Sequence, residues 1–172
     1  MKGKLIVYLG GIRSGKSRLA EARFAHELKK LRVKPVYLAT LDTKLIRKDS
    51  QMQARLLEHR NRRPASWETI EIGPHLATHA AHPAILLDGL GLWVALRNDD
   101  KPELVLAEAK AFAEGAKRKL AILVLDEVGQ GGISASASAR HFVDLNGRVN
   151  QVIAAAAQEV WRVDAGIAVQ IR

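Results

Sequence analysis

The sequence contains no cysteine among its 172 residues, and only 5% of its residues are aromatic. The lack of cysteine excludes a disulfide framework, a thiolate nucleophile and a zinc site built on cysteine. No apolar run approaches the roughly 20 residues that a membrane-spanning helix needs. The first apolar stretch, Leu5–Leu9, leads straight into a glycine-rich loop, which argues against a signal peptide. We therefore expect a cytoplasmic protein that forms one domain over residues 1–172.

Acidic residues are in the minority, with 18 against 27 lysines and arginines, so the net charge is +9. Such an excess is compatible with nucleic-acid binding, with attraction of small polyanions such as triphosphates, or with a solvated basic surface. The most basic stretch, residues 44–63, has no aromatic side chain on which a base could stack. We therefore favour triphosphates and expect no nucleic-acid partner.

Residues 10–17 have the sequence Gly-Gly-Ile-Arg-Ser-Gly-Lys-Ser and fit the phosphate-binding pattern G-x-x-x-x-G-K-[ST]. An apolar strand is predicted before the loop, and helical spacing of apolar residues follows it, which is the order that this motif requires. Lys16 would reach the β- and γ-phosphates, and the Ser17 hydroxyl would bind Mg²⁺. We predict nucleotide contacts from the whole loop: Gly10, Gly11, Ile12, Arg13, Ser14, Gly15, Lys16 and Ser17.

Apolar runs that alternate with helical patterns predict an α/β fold. Further strands are expected at 36–40, 67–72, 84–88 and 121–125, and helices at about 49–62, 102–119 and 139–158, with a break at Gly147 left open. Residues 159–171 predict a terminal hairpin. The expected architecture is P-loop NTPase-like (RecA-like), with a mostly parallel sheet, helices on both faces and a C-terminal antiparallel hairpin.

Two predicted strands end in carboxylates, Asp88 on one and Asp126–Glu127 on the other. The carboxyl ends of parallel strands meet at one edge, so both carboxylates and Thr40 should lie near the phosphate loop. A carboxylate in this position can hold Mg²⁺, although each could equally be a helix cap or a loop residue. Asp126–Glu127 fits a Walker B ending better, whereas Asp88 could face a ligand, and the sequence does not rank them. The candidate Mg²⁺ ligands are Ser17, Asp88 and Asp126.

Among six histidines, His59 has the most unusual neighbours, because Arg55, Arg60, Arg62 and Arg63 surround it in sequence. Nearby cations disfavour the imidazolium form, and a neutral imidazole is a competent nucleophile toward phosphorus. From the residues alone, a surface histidine at a helix C-terminus is the more common explanation. A second group, at positions 75, 79 and 82, has spacing that could suit a metal, but a solvated surface explains it better.

Several segments together resemble one family. They are Gly10–Ser17, Tyr37-Leu38-Ala39-Thr40, Arg55-x-x-x-His59-Arg60-x-x-Arg63-Pro64-x-x-Trp67, Leu90-x-Leu92-Trp93-Val94, Glu127-Val128-Gly129-x-Gly131 and Arg140-x-Phe142-x-Asp144-x-x-Gly147-x-x-Asn150-Gln151. In this order and over most of the chain they are similar to the bifunctional adenosylcobinamide kinase/adenosylcobinamide-phosphate guanylyltransferases of cobalamin biosynthesis. The chain departs from residues common in that family at Gln51, Ala95 and Asp126.

The resemblance implies two reactions at one nucleotide site. The γ-phosphoryl group of ATP or GTP passes to a hydroxyl of adenosylcobinamide, and GMP from GTP is then transferred through a histidine to give adenosylcobinamide-GDP. It implies that His59 carries the GMP and that the protein assembles as a homo-oligomer, for which we expect a trimer. With the phosphate-loop motif, it makes Lys16 catalytic and Mg²⁺ the cofactor. Beyond the loop, the implied nucleotide contacts are Thr40, Leu41, Asp42, Arg60, Asn61, Arg62, Arg63, Glu71 and Asp88.

Two other functions stay open at this stage. One is a simple P-loop kinase for a small molecule, in which His59 is structural. The other is a RecA-like ATPase that nucleic acid stimulates through the basic 44–63 stretch.

Overall fold

The computed structural model describes residues 3–40, 53, 54, 57, 60, 61 and 63–172. Within this part of the chain, seven strands form one sheet in the order β3-β2-β4-β5-β1-β6-β7. They are β1 (Lys4–Gly10), β2 (Pro35–Ala39), β3 (Glu68–Glu71), β4 (Ala84–Asp88), β5 (Leu120–Asp126), β6 (Glu159–Asp164) and β7 (Ile167–Gln170). Neighbouring strands pair in parallel, except that β7 runs antiparallel to β6. The mostly parallel sheet and the terminal hairpin are confirmed.

Four α-helices connect these strands in the described part of the chain: α1 (Lys16–Leu28), α2 (Leu90–Leu96), α3 (Pro102–Ala116) and α4 (Ala137–Ala156), and a 3₁₀ helix spans Leu76–Ala81. Helix α4 is unbroken at Gly147, because the buried side chains of Leu145, Val149 and Ile153 stabilise it on both sides of that residue. Helix α2 was not predicted, because seven residues are too few to show helical periodicity. Of the predicted helix 49–62, residues 53, 54, 57, 60 and 61 are helical, and the other positions lie outside the described residues.

The sheet is covered on both faces, as its nearly continuous apolar strands require. Leu5 and Val7 of β1 point to one face, where they belong to the same buried cluster as Trp93, Phe112 and Ile153. Ile6 and Tyr8 point to the other face, which α1 covers and where the ring of Phe24 packs edge-on against Trp67. No helix among the described residues combines the length and hydropathy that a membrane crossing demands.

The register of the sheet brings the chemically important strand ends together. Gly10 at the end of β1 lies opposite Asp126 at the end of β5, and Asp88 at the end of β4 lies opposite Ala39 of β2. All four strands point the same way, so their carboxyl ends share the edge at which α1 begins. This edge is the candidate active site.

Candidate active site

The phosphate loop has a conformation that depends on glycine and on contacts with the terminal hairpin. Gly15 precedes α1 with a left-handed φ of 93°, which suits a residue without a side chain. A Cβ atom on Gly10 would lie only 2.4 Å from the carbonyl oxygen of Val163 and 2.8 Å from Ser14 Oγ. The amide of Gly166 also donates to the carbonyl oxygen of Ser14 at 2.8 Å. The loop is therefore fixed from the hairpin side, while Ile12 and Arg13 form its exposed tip.

The side chain of Lys16 is almost fully buried and is held by two oxygen atoms. Its Nζ atom donates to the carbonyl oxygen of Gly11 at 3.0 Å and lies 3.0 Å from Asp126 Oδ1. The other carboxylate oxygen of Asp126 accepts a hydrogen bond from the amide of Gly91 at 3.2 Å. Asp126 thus neutralises the lysine of the phosphate loop.

Helix α4 fixes the backbone beneath this ion pair. The side-chain amides of Asn146 and Asn150 donate to the main-chain oxygen of Asp126 at 2.8 and 3.0 Å. These asparagines are one helical turn apart, so they lie on the same face of α4. Neither asparagine was predicted as a site residue. A polar i, i+4 pair in the midst of buried apolar positions is the signal that could have identified them.

Ser17, Asp88 and Tyr37 form a second hydrogen-bonded group. Ser17 Oγ donates to Asp88 Oδ1 at 2.9 Å, and the Tyr37 hydroxyl donates to Asp88 Oδ2 at 2.7 Å. Burial, and then the Asp88 carboxylate, raise the pKa of the Tyr37 phenol well above its usual value, so the phenol stays protonated. Thr40 Oγ1 lies 2.8 Å from the carbonyl oxygen of Gly89 and within reach of that of Asp88. The predicted convergence of Ser17, Thr40 and Asp88 is observed.

The oxygen atoms of this second group suit Mg²⁺. A hydroxyl and a carboxylate are the hard ligands that Mg²⁺ takes in phosphoryl-transfer sites, where substrate phosphates and water complete its shell. The two candidate carboxylates differ in their surroundings, because Asp88 contacts the Ser17 hydroxyl whereas Asp126 contacts the Lys16 ammonium group. Asp88 is therefore the better placed of the two to hold the ion together with Ser17.

The predicted basic residues are described only in part. Arg60 lies 3.4 Å from Glu71 Oε1, and both side chains are about half exposed. The guanidinium carbon of Arg63 lies 3.3 Å from the centre of the Tyr37 ring. Asn61 is helical and exposed. Leu41, Asp42, His59 and Arg62 lie outside the described residues.

Two other predicted groups have surroundings of a different kind. The Glu127 carboxylate accepts a hydrogen bond from Gln130 Nε2 at 2.6 Å and lies 3.5 Å from Arg162. Its side chain therefore contacts its own loop and β6. The rings of His79 and His82 stack 5.9 Å apart, and burial followed by the charge of His82 lowers the pKa of His79. No group of three or more metal-ligating side chains occurs among the residues that the structure describes.

A groove of about 460 Å³ lies beside α4, between the start of α3 and the loop after β5. Its polar lining comes from His141, Asp144, Arg148 and Gln151, which follow one another at spacings of three or four residues and so share a helix face. Pro102 and Val128 form its other walls. Helices α3 and α4 both begin at the edge of the sheet that carries the phosphate loop, so the groove adjoins the site.

The strand–loop–helix unit, the buried lysine and the Ser17–Asp88 contact together define a P-loop NTPase-like protein with a RecA-like fold. The flagellar accessory protein FlaH of Methanocaldococcus jannaschii has a similar fold, with a TM-score of 0.53 and 16% sequence identity over 99% of this chain and 79% of its own. At this level of identity the likeness concerns the fold alone.

Residues 6–171 match the family model described as cobinamide kinase / cobinamide phosphate guanyltransferase, and the chain belongs to this family. The bifunctional adenosylcobalamin biosynthesis protein CobU of Salmonella typhimurium is 38% identical, over 98% of this chain and 99% of the relative. The bifunctional adenosylcobalamin biosynthesis protein CobP of Pseudomonas aeruginosa is 37% identical, over 95% of each chain.

Proposed function

We propose that this protein phosphorylates adenosylcobinamide with ATP or GTP and then transfers GMP from GTP to the product, which gives adenosylcobinamide-GDP. Membership of the family supports both activities. The observation that carries the proposal is the convergence of Lys16, Ser17 and Asp88 beside the start of α1. A helix N-terminus, backbone amides and a lysine at one point form a site for a triphosphate.

In the first reaction, a hydroxyl oxygen of the acceptor attacks the γ-phosphorus atom, the hydroxyl proton passes to solvent, and the nucleoside diphosphate leaves with the bridging oxygen. Lys16 exchanges its contact with Asp126 for the β- and γ-phosphate oxygens and stabilises the charge that develops there. Ser17 and Asp88 would hold Mg²⁺, which neutralises charge on the same phosphates. Gly10 and Gly15 allow the backbone to come close to the phosphates.

In the second reaction, a neutral nitrogen of His59 attacks the α-phosphorus atom of GTP, and pyrophosphate leaves. A phosphate oxygen of the phosphorylated acceptor then attacks the same phosphorus atom, which frees the histidine and completes GMP transfer. Arg60 and Arg63 follow the histidine in sequence, and guanidinium groups suit the developing charge on phosphate oxygens. The role of His59 rests on the resemblance of its segment to the family.

Covalent labelling tests this function directly. Incubation with GTP labelled at the α-phosphate should leave radioactivity on the protein that acid removes and alkali does not, as a phosphorus–nitrogen bond requires. GTP labelled at the γ-phosphate is the control and should leave no such label. If phosphoryl transfer proceeds without the α-label, the protein is a simple P-loop kinase. Strongly salt-dependent oligonucleotide binding that stimulates ATP hydrolysis would instead support a nucleic-acid-dependent ATPase.

The groove beside α4 is the place where we expect the acceptor to bind. The groove offers both hydrogen-bond donors and acceptors, from His141, Asp144, Arg148 and Gln151. Such groups can bind the amide side chains of the acceptor. Val128, which lines the groove, follows β5 at the sheet edge where the γ-phosphate would lie. On another face of the same helix, Asn146 and Asn150 bind the backbone of Asp126, the residue that pairs with Lys16.

Arg148→Ala should raise the KM for adenosylcobinamide about tenfold, since it removes a charged hydrogen-bond donor from the groove. The KM for the nucleotide and the stability of the protein should hardly change. The matched control is Arg118→Ala, which removes an exposed arginine at the opposite edge of the sheet. Steady-state kinetics with each substrate varied in turn would measure both constants. An unchanged acceptor KM would show that the acceptor binds elsewhere.

Three expectations from the sequence stay predictions. They are that residues 1–172 form one domain, that the protein assembles as a homo-oligomer, as a trimer, and that it works in the cytoplasm without nucleic acid.

A further inference from the structure

Tyr37 is the one residue in the described part of the site that contacts both the candidate metal carboxylate and a candidate phosphate-binding arginine. It lies in the middle of β2 with 2% of its surface exposed. We infer that Tyr37 is a positioning residue, which orients Asp88 with its hydroxyl group and holds Arg63 with the face of its ring. This inference rests on the proposed function, because it concerns the nucleotide and Mg²⁺ that the function requires.

The hydroxyl group of Tyr37 fixes the orientation of the Asp88 carboxylate. Tyr37 donates to Oδ2 at 2.7 Å while Ser17 donates to Oδ1 at 2.9 Å, so each carboxylate oxygen has its own hydroxyl donor. Two donors on the two oxygens hold the carboxylate plane against rotation. The Ser17 hydroxyl would be drawn to Mg²⁺, while the hydrogen bond from Tyr37 to Oδ2 would continue to direct Oδ1 toward the ion.

The face of the ring holds Arg63. The guanidinium carbon is 3.3 Å from the ring centre, which is within the range of a strong cation–π contact. Such a stack occupies one face of the guanidinium group and leaves its N–H edges free to bind an anion. Arg63 Nε is buried and has no hydrogen-bond partner in the described part of the chain. Phosphate oxygens are the partners that this donor suits.

The two contacts connect the two halves of the site. Asp88 and Ser17 belong to the phosphate-loop side, whereas Arg63 follows the segment that carries His59 and its neighbouring arginines. One rigid ring in the sheet therefore sets the position of the metal carboxylate relative to Arg63. A bound triphosphate would contact Mg²⁺ at some of its phosphates and Arg63 at others. Tyr37 would fix the positions of both Asp88, which holds the ion, and Arg63.

Tyr37→Phe separates the two contacts, because it removes the hydroxyl group and keeps the ring. In the presence of α,β-methylene GTP, an analogue that cannot transfer GMP, and without the acceptor, Mn²⁺ should bind about tenfold more weakly to this variant, as electron paramagnetic resonance of free Mn²⁺ would show. The affinity for the same analogue in EDTA should stay within about twofold of the wild-type value, because the variant retains the ring on which Arg63 stacks.

Tyr8→Phe is the matched control. Tyr8 is also a buried tyrosine, lies on β1 and belongs to the same core cluster as Tyr37, but it stacks on Trp161 away from Asp88. Neither the Mn²⁺ affinity nor the metal-free affinity should change in this variant. If Mn²⁺ affinity fell equally in both variants, the loss of a buried hydroxyl group would weaken binding only by lowering the stability of the protein, and the inference about Asp88 would be wrong.

Tyr37→Leu and Arg63→Ala test the face of the ring. Both should weaken analogue binding in EDTA by about fivefold or more, because each removes the stack. Should Tyr37→Leu fail to fold, Arg63→Ala alone decides this half, and unchanged metal-free affinity there would overturn it. Wild-type Mn²⁺ binding by Tyr37→Phe would overturn the other half. These are binding measurements, so a failure of the GMP-transfer hypothesis would appear in the labelling experiment and not here.

Discussion

Lys16→Ala should lower kcat/KM for phosphoryl transfer on the order of 10³-fold and reduce GMP transfer as well. The variant loses the ammonium group that would bind the β- and γ-phosphate oxygens, where charge develops in the transition state. Both reactions should be affected because both use a triphosphate at the same loop. The measurement is kcat/KM for each reaction with purified substrates.

The same substitution leaves the Asp126 carboxylate without its partner, so a loss of stability must be separated from a loss of catalysis. The side chain of Lys16 is 9% exposed and that of Asp126 is 24% exposed, which makes this ion pair mostly buried. Lys16→Ala/Asp126→Asn removes the unpaired charge and keeps an acceptor for the Gly91 amide. The double variant should recover thermal stability but not activity. A recovery of activity would mean that Lys16 acts by neutralising Asp126.

His59→Ala should reduce GMP transfer by at least about 10⁴-fold, as removal of a nucleophile does in enzymes that form a covalent intermediate. Phosphoryl transfer should stay within a few-fold of the wild-type rate, because Lys16, Ser17 and Asp88 are intact. The protein should also lose its covalent α-label. Both reactions can be followed in one assay by chromatography of the phosphorylated and guanylylated products.

His26→Ala is the control for His59→Ala, since His26 lies in the last turn of α1, away from the phosphate loop. Neither activity should change in that variant. Production of adenosylcobinamide-GDP by His59→Ala at the normal rate would show that another residue is the nucleophile. Simultaneous loss of both reactions would instead indicate that His59 is needed for nucleotide binding.

The local structure around the phosphate loop was predictable because its signals are short-range. Leu5–Leu9 is apolar and partly β-branched, the loop glycines permit the required backbone angles, and α1 follows at once. The order of the strands was not predictable in the same way. Ile6 pairs with Ile122 on one side and with Glu159 on the other, and such contacts depend on the packing of the whole chain.

The sequence did not decide whether Asp88 or Asp126 is the better candidate ligand of Mg²⁺. Both residues end apolar strands, and nothing near them in sequence tells them apart. Three-dimensional structure separates them, because consecutive residues of a helix point about 100° apart. Lys16 therefore reaches Asp126 on the adjacent strand, while Ser17 reaches Asp88 on the strand beyond it. The role that we infer for Tyr37 was missed for a related reason, since its hydroxyl group meets Asp88 only when β2 pairs with β4.

The central position of β1 has a consequence for protein synthesis. The strand leaves the ribosome before both of its neighbours in the sheet, which begin at Leu120 and Glu159. The loop contacts from Val163 and Gly166 come later still. A growing chain therefore carries an apolar strand without its neighbours in the sheet until β5 and β6 have been made. Nascent chains of this protein should depend on chaperones until nearly the whole sequence shown has been made.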